Sequence, residues 1–417
     1  MLYLITKLKN KSRQDYINYL IFLFAFCISF PIEIIRPITL LMIVLWITDR
    51  TSYPKLPKVK LFLLFGIFIF FCILSYTWSD VSVKEASYYI RRYWYFFPAF
   101  IIFKYLKKEN FDIAISLFLS GIFMSEVLSY GNLFGLWEVG IGSMSNPRVF
   151  MHHSIYGIFL SIVSLFLVFK LLIEEKNKFW FINLFFFISI TINIFVNSGR
   201  TGYFVFALSL ITILFIKNIK NIKNMTKQLT ISIAFVIVIV LLAFNLSNNF
   251  KNRIQLIETD ILKILDNNYN TSIGARIGFW IITKEILIND PFLGSGIANH
   301  NNLKNEIVNK KYQNSKKYLK SLVHFHNMHL EYLSMYGIIG YLLFLSILIN
   351  ILYIKIKDPV INDLKTILVV VYMYGSLTDM LFYLSHTMVL FSLILGLILV
   401  RYRIENTKTS NYLNLKK

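Results

Sequence analysis

The chain has few of the residues from which many soluble enzymes build their chemistry. Its two cysteines, Cys27 and Cys72, both fall inside apolar runs, so neither a disulfide nor a cysteine-ligated metal is predicted. Charged residues make up 16% of the 417 positions, whereas a soluble domain has about 25%. This composition argues against an ordinary soluble globular protein.

The sequence also lacks the motifs that mark nucleotide and metal sites. It has no Gly-x-Gly-x-x-Gly or Walker loop, so no nucleotide is expected. It has no Asp-x-Asp, although Glu258-Thr259-Asp260 is an acid pair of the kind that some membrane glycosyltransferases use with a metal ion. His324, His326 and His329 do not have the spacing of a zinc site. We therefore expect no metal and no cofactor.

Apolar and basic residues are what the chain has in excess. Hydrophobic types make up 56% of it, and its 39 Phe and 25 Tyr exclude a disordered chain. A membrane-spanning helix needs about 20 apolar residues, so there is material for roughly a dozen spans. The net charge of +21 lies between long apolar runs and not on a polar surface, which disfavours nucleic acid as a partner. We predict an all-α, polytopic membrane protein.

Twelve apolar runs are predicted to be transmembrane helices. Basic residues test that number, because cytoplasmic loops are enriched in Lys and Arg. With the N-terminus placed inside, 26 of the 43 basic residues fall in seven cytoplasmic clusters, and none of these clusters is out of phase. The predicted spans are 16–30, 33–48, 60–78, 93–106, 112–134, 154–173, 179–196, 202–216, 228–247, 329–354, 360–377 and 382–400.

One long outer segment, 249–328, interrupts this alternation and holds eleven further basic residues. A segment of that length escapes the charge rule. We predict helices 1–9 in residues 1–248, a periplasmic subdomain in 249–328, and helices 10–12 with a cytoplasmic tail in 329–417. Both termini are then cytoplasmic, and most of the positive charge faces the anionic lipids of the inner leaflet.

The middle of the long outer segment predicts a further helix. From Ile273 to Ile288 apolar residues recur at helical spacing, and Ile277 and Trp280 fall on one stripe. We expect this helix to lie along the membrane surface and to stop at Asn289-Asp290-Pro291. The segment is either a connector that caps the bundle or a lid over a site between the helices, and its length favours the lid.

Three arginines stand on the side where the predicted topology keeps cations rare. Arg200 follows Asn197-Ser198-Gly199 at the outer end of a span, Arg148 precedes another span, and Arg276 lies in the predicted surface helix. Any one of them alone is most simply a snorkelling side chain that anchors a helix end. Three together are better explained by a phosphate or diphosphate ligand, which guanidinium groups grip through paired hydrogen bonds.

His326, just before a predicted span, is the candidate general base. A neutral histidine beside arginines suits proton abstraction, and the plain alternative is an interfacial histidine satisfied by backbone carbonyls. Glu126 within a span and Asp379 near an outer end are further candidates, because acids in the membrane are rare. Each of these acids could also simply pair with an arginine.

Three segments together resemble the O-antigen ligase family, membrane enzymes that join surface polysaccharide to lipid A core. In this chain they are Asn197 to Gly202 (NSGRTG), Gly274-Ala275-Arg276 running to Trp280 and followed by Asp290 to Gly296 (DPFLGSG), and His326-Asn327 followed after nine residues by Gly337-Ile338-Ile339-Gly340. The twelve spans with a long loop between the ninth and tenth are also similar to that family. The family often has Thr or Val after the last glycine, where this chain has Tyr341.

The resemblance implies transfer of a glycan from undecaprenyl diphosphate to a sugar hydroxyl of lipid A core. The reaction would take place at the periplasmic face of the bacterial inner membrane, among its lipids, by direct attack with inversion at the anomeric carbon. His326 would be the base, and Arg276 and Arg200 would hold the diphosphate in place of a metal ion. Substrate binding is assigned to Arg148, Asn327 and Asp379.

Other functions share parts of this pattern. An O-antigen polymerase or a protein O-glycan ligase would have the same fold and the two arginine segments, and Tyr341 weighs slightly towards the polymerase. A transporter of lipid-linked sugars would bind the same donor without reacting. Such a carrier needs basic residues along a whole pathway, whereas the arginines here cluster at one face.

Overall fold

The computed structural model describes residues 12–49, 60–197, 199–219 and 248–414, with scattered positions between 226 and 245. Regular secondary structure in this part of the chain is helical, as predicted. The first nine α-helices are α1 (Arg13–Cys27), α2 (Ile32–Ile47), α3 (Lys60–Leu74), α4 (Val83–Ile90), α5 (Phe97–Tyr105), α6 (Phe111–Leu133), α7 (His153–Ile173), α8 (Lys178–Val196) and α9 (Arg200–Asn218). The others are α10 (Asn248–Leu265), α11 (Ser272–Asn289), α12 (His300–Lys311), α13 (Lys316–Ser321), α14 (Met328–Tyr353), α15 (Pro359–Ser376) and α16 (Ser385–Asn414).

Seven helices among the described residues are long and apolar enough to cross a membrane. They are α3 and α6 with the short 3₁₀ turns that adjoin them, α7, α8, α9, α14 and the first part of α16. Helices α1, α2, α5 and α15 match four further predicted spans in position but are not among the seven. The span predicted over 228–247 lies largely outside the described residues. A multi-pass helical membrane protein is confirmed, and the number of twelve stays a prediction.

Among the predicted spans that the structure describes, 93–106 differs most from a continuous α-helix. Its first part belongs to a 3₁₀ helix, Arg91–Phe96, and α5 then covers nine residues. Nine residues of α-helix are about 14 Å long, roughly half the thickness of the hydrocarbon layer. The span predicted over 93–106 therefore stays a prediction, because it begins within a 3₁₀ helix that starts with the charged residues Arg91 and Arg92 and continues in a short α-helix.

Helices α7 and α16 form the centre of the bundle. Their spanning stretches are 78% and 83% buried within the protein, compared with 33% for α3 and α8. The outer helices instead expose large apolar side chains such as Phe70 and Phe185. In a bilayer these side chains face lipid tails, which carry no hydrogen-bonding groups.

A close crossing brings the first turns of α7 and α9 together. A methyl group on Gly157 would lie 2.7 Å from the Cα atom of Gly202, so both positions require glycine. Ser161 Oγ donates to the carbonyl oxygen of Gly202 at 3.0 Å and seals the crossing. Small residues permit such close backbone approach between membrane helices. As a result, His153 and Arg200, at the starts of the two helices, lie side by side.

Ion pairs connect the helix ends at which the predicted cytoplasmic clusters lie. The pairs are Arg13–Asp49 and Lys104–Asp49 at 3.9 Å, Lys107–Asp15 at 2.7 Å, Lys217–Asp363 at 2.6 Å and Arg401–Asp358 at 2.6 Å. Arg403 joins α16 to the end of α5 by donating to the carbonyl oxygen of Lys104 at 2.7 Å. These helix ends therefore meet at one face of the bundle, and the compartment that this face meets stays a prediction.

Residues 248–327 form a set of short helices, α10 to α13, that we call the capping subdomain. It has a small hydrophobic core of its own, in which Phe279, Leu319 and Phe325 are fully buried. Leu330 of α14 completes this core and attaches the subdomain to the bundle. The rings of Phe279 and Phe325 stack with their centroids 4.8 Å apart, which places the chain before α14 directly against α11.

The helix predicted over 273–288 is confirmed as α11. Thr271 caps its first turn by accepting a hydrogen bond from Gly274 N at 3.0 Å, and the helix ends at Asn289 as expected. One face is buried against the core of the subdomain, and the other exposes Ile277 and Trp280. The predicted contact of this exposed stripe with the membrane surface stays a prediction.

The segment after α11 is built into a kink of α14, and we call this contact the glycine junction (residues 291–296 with Gly337). Gly337 has φ 59° and ψ −166°, which interrupts α14 and releases its backbone groups. Four main-chain hydrogen bonds of 2.9–3.2 Å then join residues 291–296 to α14 on both sides of the kink. A methyl group on Gly337 would lie 2.3 Å from the carbonyl oxygen of Phe292. Two of the motifs noted in the sequence are thus one structural unit.

Candidate functional site

A cavity of about 130 Å³ lies between the capping subdomain and the ends of the spanning helices. We call it the histidine–arginine cavity. Its lining includes His152, His153, Ser272, Arg276, Tyr318, His326 and Asp379. A larger cavity of about 820 Å³ lies at the opposite face among Lys60, Lys355 and Glu405, and its lining has no histidine or arginine. The smaller cavity therefore has the side chains suited to acid–base chemistry.

His326 is held in this cavity by a strained backbone. Its φ of 49° lies in the left-handed region, which costs a residue other than glycine about 1–2 kcal/mol. The chain is fixed on both sides of it: Phe325 N donates to Glu331 Oε2 at 2.8 Å, and Asn327 Oδ1 accepts two backbone N–H bonds as the N-cap of α14. Strain of this kind persists where the surroundings enforce it, and it concentrates at functional sites.

Asn327, which the resemblance assigned to substrate binding, therefore has a structural task. It is 3% exposed, and its side-chain oxygen is taken up by the helix cap. An N-cap of this kind contributes about 1 kcal/mol to helix stability. The cap also fixes the orientation of α14 relative to His326. Asn327 thus helps to position the candidate base without contacting the substrate.

Asp379 stands next to His326. Its Oδ1 atom lies 3.7 Å from His326 Nδ1 and accepts a hydrogen bond from Met380 N at 2.9 Å. Burial raises the pKa of the Asp379 carboxyl, but His326, the backbone N–H of Met380 and the charge of His324 together outweigh burial and hold this pKa below its usual range. A carboxylate facing Nδ1 favours the tautomer with its proton there, which leaves Nε2 free to accept another proton.

Arg276 reaches the cavity from α11. Its Nη2 donates to the carbonyl oxygen of Thr378 at 3.3 Å and its Nη1 to Ser272 Oγ at 3.4 Å. Its Nε is buried, and no acceptor among the described residues lies within hydrogen-bonding distance. Burial lowers the pKa of this guanidinium, Asp379 opposes the shift and Arg200 adds to it. A buried donor without an acceptor is uncommon in folded proteins, and an anion would satisfy it.

Arg200 is the first residue of α9, beside Arg276. Its Nη1 lies 3.8 Å from Asp260 Oδ2 of α10, beyond hydrogen-bonding distance, and finds no closer acceptor in the described part of the chain. The preceding Gly199 packs on the start of α7, where a methyl group would lie 2.7 Å from the carbonyl oxygen of His153. The glycine thus places Arg200 beside His153, which lines the histidine–arginine cavity, although Arg200 itself is not part of the lining.

Arg148 lies further out than the other two arginines. Its Nε donates to the carbonyl oxygen of Ile141 at 3.3 Å, and it is not among the residues that line the cavity. Its charge acts on His152, whose pKa is lowered by burial first and then by Arg148 and His326, against the opposing effect of Asp379. Arg148 therefore borders the site through His152.

The three histidines around the start of α14, His324, His326 and His329, do not converge. His329 is buried and points away, with its Nε2 at 3.0 Å from the carbonyl oxygen of Met373. The rings of His324 and His326 lie 4.4 Å apart, and burial lowers the pKa of His324. No group of three His, Cys, Asp or Glu side chains within the described ranges is arranged to hold a metal ion. A metal-free reaction stays a prediction.

The two other acidic candidates, the Glu258-Thr259-Asp260 pair and Glu126, do not line the histidine–arginine cavity. Asp260 of the Glu258-Thr259-Asp260 pair is buried and faces Arg200, which makes it a partner of an arginine. Glu126 is buried inside α6, where its Oε1 accepts a hydrogen bond from Ser189 Oγ at 2.6 Å. Glu126 thus joins α6 to α8, away from the cavity.

His152, His153 and Tyr318 line the cavity without having been singled out in the sequence. A signal was present for the first two, since adjacent histidines directly precede a long apolar run. Tyr318 lies in the short helix α13, whose sequence has no apolar period to draw attention to it. The structure brings His326, Asp379, Arg276 and Arg200 together, and their roles in catalysis stay predictions.

A protein of Haemophilus influenzae described as an uncharacterized protein is 27% identical to this chain over 146 residues. The match covers 34% of this chain and 35% of the relative, so it spans about a third of that protein's length.

The model of the family described as O-antigen ligase matches residues 184–345. This stretch runs from α8 into α14 and contains Arg200, Arg276, His326 and the glycine junction. Arg148 and Asp379 lie outside it. The resemblance inferred from the three motifs is confirmed, and residues 184–345 form an O-antigen ligase family domain.

Proposed function

We propose that the protein is a glycosyltransferase that moves a glycan from undecaprenyl diphosphate to a sugar hydroxyl of lipid A core. The observation that carries this proposal is that two arginines, each with a buried nitrogen that has no acceptor among the described residues, lie beside a histidine–carboxylate pair: Arg276 lines the same cavity as that pair, and Arg200 lies next to Arg276. The first pair suits a diphosphate, and the second suits removal of a proton from a hydroxyl.

The arginines act on the donor. The diphosphate is charged before the reaction, and its oxygens would complete the hydrogen bonding of Arg276 Nε and Arg200 Nη1. Negative charge grows on the leaving oxygen as the glycosidic bond breaks. Charged donors that are already in place stabilise this change, and removing one such donor typically costs about 3–4 kcal/mol. The arginines thereby supply the positive charge for which other glycosyltransferases use a metal ion.

His326 acts on the acceptor. Its Nε2 takes the proton of the acceptor hydroxyl while that oxygen forms a bond to the anomeric carbon. The electron pair of the old bond leaves with undecaprenyl diphosphate, so the configuration at the anomeric carbon inverts. Asp379, 3.7 Å from Nδ1, stabilises the imidazolium that forms. Such a base contributes about 10²- to 10⁴-fold to the rate.

Transfer by the purified full-length chain in detergent tests this proposal. The assay contains an undecaprenyl-diphosphate glycan, lipid A with core, and EDTA, and products are identified by mass spectrometry. We expect the glycan on lipid A core, a rate about 10²- to 10⁴-fold lower with His326→Ala, and full activity in EDTA. A longer glycan that remains on undecaprenyl diphosphate would instead identify a polymerase.

Two further outcomes would contradict the proposal. Binding of donor and acceptor without any product would indicate a carrier of lipid-linked sugars. Loss of activity in EDTA that magnesium or manganese restores would replace the arginine scheme with a metal-dependent one. Gly66→Ala serves as a folding control, because no atom lies within 4 Å of the added methyl group.

A further inference from the structure

The geometry points to a second cavity as the binding site for the acceptor saccharide. This cavity lies on the other side of the segment Val323–His326. This inference rests on the proposed function and extends it to residues that the motifs do not include. The cavity has a volume of about 550 Å³, within the range of about 300–1,000 Å³ that is usual for small-molecule sites. We call it the tyrosine cavity, after Tyr88, Tyr89 and Tyr383 in its lining.

The two cavities share a wall. His326 lines the histidine–arginine cavity, whereas Val323, three residues earlier, lines the tyrosine cavity. In the same way Asp379 lines the first cavity, and Tyr383, four residues later, lines the second. His324 stands between them, with its ring 4.4 Å from that of His326 and 6.1 Å from that of Tyr383. The side chain of His324 therefore lies between a saccharide bound in the tyrosine cavity and His326, the candidate base.

The aromatic rings of the tyrosine cavity are held in place before any ligand binds. The centroid of Tyr383 lies 5.8 Å from that of Tyr88 and 5.2 Å from that of Tyr89. Arg91 and Arg92 lie over Tyr88 at 4.5 and 4.9 Å, and Arg92 also lies over Tyr383 at 5.1 Å and donates from Nη2 to Tyr88 OH at 3.0 Å. Tyr88 nevertheless remains 37% exposed. The part of the ring that the guanidinium groups leave accessible is a fixed apolar surface for the C–H groups of a sugar.

Asn301 supplies the polar part of the cavity. Its Nδ2 donates to Tyr89 OH at 3.2 Å, while its Oδ1 is buried and has no donor within hydrogen-bonding distance among the described residues. A sugar hydroxyl would satisfy this oxygen. The backbone nearby is strained, since Ala298 has φ 65° in the left-handed region, as expected where a binding surface is held in a set shape.

The tyrosine cavity is linked to the candidate base by hydrogen bonds. Tyr89 OH donates to Glu331 Oε1 at 3.4 Å, and Glu331 Oε2 accepts from Phe325 N at 2.8 Å, next to His326. Glu331 also pairs with His300 Nε2 at 3.1 Å, and both side chains are fully buried. The cavity floor and the loop that carries the base are therefore parts of one rigid network.

A saccharide fits this cavity better than the other components of the reaction. A polyprenyl chain has no donor for Asn301 Oδ1 and would leave this oxygen unsatisfied. A diphosphate is better served by Arg276 and Arg200, across the wall. An accessible tyrosine, Tyr88, in the same lining as the unpaired amide oxygen of Asn301 matches a ligand with apolar C–H groups and many hydroxyls, which is the chemistry of the lipid A core oligosaccharide.

Binding of the delipidated core oligosaccharide to the full-length chain in detergent tests the inference, by calorimetry or ligand-observed NMR. Tyr88→Ala and Asn301→Ala should each weaken this binding about tenfold, as expected for the loss of one good contact. Neither change should alter the affinity for an undecaprenyl-diphosphate glycan. Tyr76→Ala is the matched control, because Tyr76 is also 37% exposed and lines none of the cavities described above. Tyr88→Phe keeps the ring and should bind nearly as the unaltered protein does.

Wild-type affinity in both alanine variants would overturn the inference, and so would equal losses of donor and oligosaccharide affinity. Absence of any oligosaccharide binding by the unaltered chain would overturn it as well. Failure of the proposed function looks different. In that case the oligosaccharide binds and the variants weaken it, but no glycan is transferred.

Discussion

The hydroxyl of Tyr341 lies 3.0 Å from His329 Nδ1. In the neutral ring, Nε2 carries the proton, because it faces the carbonyl oxygen of Met373 at 3.0 Å and a carbonyl can only accept. Nδ1 must then accept the hydrogen of Tyr341. The residue that departs from the family pattern after Gly340 thus occupies the second nitrogen of His329, and neither nitrogen remains available for a substrate.

His326→Ala should lower the rate of glycan transfer by about 10²- to 10⁴-fold, because it removes the general base. Donor binding should change little, since the diphosphate contacts the arginines. The measurement is kcat for transfer together with the Kd of the donor. His329→Ala is the comparison: it should lower the thermal stability and retain most of the activity. An inactive His329→Ala beside an active His326→Ala would show that the base has been misassigned.

Arg276→Ala and Arg200→Ala should each weaken donor binding as well as turnover, with a total loss of about 3–4 kcal/mol in transition-state stabilisation. Lysine at either position should restore part of the loss, because it keeps the charge but not the planar fork. The checks are kcat/KM for the donor and the donor Kd. Arg148→Ala should have a smaller effect, since Arg148 Nε already donates to the carbonyl oxygen of Ile141, whereas Arg276 and Arg200 each have a buried nitrogen without an acceptor among the described residues. Equal losses in all three variants would argue against this division of roles.

Gly337→Ala should destabilise the protein by about 1–3 kcal/mol or more, because the left-handed backbone and the carbonyl oxygen of Phe292 leave no room for a methyl group. The thermal unfolding midpoint in detergent measures this effect. Gly66→Ala, in the middle of α3 with open space around it, should instead be neutral or stabilising by about 0.5–1 kcal/mol. Equal midpoints in the two variants would mean that the glycine junction contributes little.

Lys304 predicts a pH dependence of stability. It is buried in α12 and donates to the carbonyl oxygen of Leu322 at 2.5 Å; burial lowers its pKa to about 8, against the opposing effect of Glu331. The unfolded chain keeps this proton up to the ordinary value of 10.5, so between about pH 8 and 10.5 the unfolded state binds more protons. Raising the pH through this window therefore stabilises the folded state, by up to about 3 kcal/mol.

Lys304→Met should remove this rise in stability with pH. The measurement is the difference in unfolding midpoint between variant and wild type at several pH values from 7 to 10.5. Lys311→Met is the control, because Lys311 is exposed and pairs with Glu285 at the surface. A pH profile that is the same in wild type and Lys304→Met would contradict the assignment.

Reporter fusions test the orientation of the bundle. Fusions after Lys227 and Lys357 should report the cytoplasm, and fusions after Asn270 and Asn314 should report the periplasm. A cytoplasmic signal at Asn270 would place Arg276 and His326 in the wrong compartment for the proposed reaction.

Much of the helical architecture was predictable because a long apolar run is a local property of the chain. The helix expected over 273–288 is present as Ser272–Asn289, since its apolar spacing and the Asp290-Pro291 stop signal lie within the segment itself. The same local reasoning did not anticipate the form of 93–106, because hydrophobicity does not distinguish a 3₁₀ helix followed by a short α-helix from a continuous α-helix.

Contacts between distant segments could not be predicted in this way. His326 and Asp379 both stood out as single residues, but no spacing rule joins positions that lie on different elements, so their pairing needed the folded chain. The glycines of the third motif indicated an unusual backbone. Gly337 leaves room for the carbonyl oxygen of Phe292, which belongs to the second motif. This contact depends on how the two segments pack in the folded chain.

The glycine junction also determines the entry route for a long substrate. Four main-chain hydrogen bonds anchor the C-terminal end of α11 to both halves of α14, so this end cannot swing outward without breaking them. Breaking several backbone pairs beside the apolar bundle is costly, because little water is there to replace them. A hinge motion of this end about Asp290 is therefore disfavoured. In the proposed reaction the glycan would instead reach the histidine–arginine cavity past another part of its wall, such as the N-terminal turn of α11 and the start of α7.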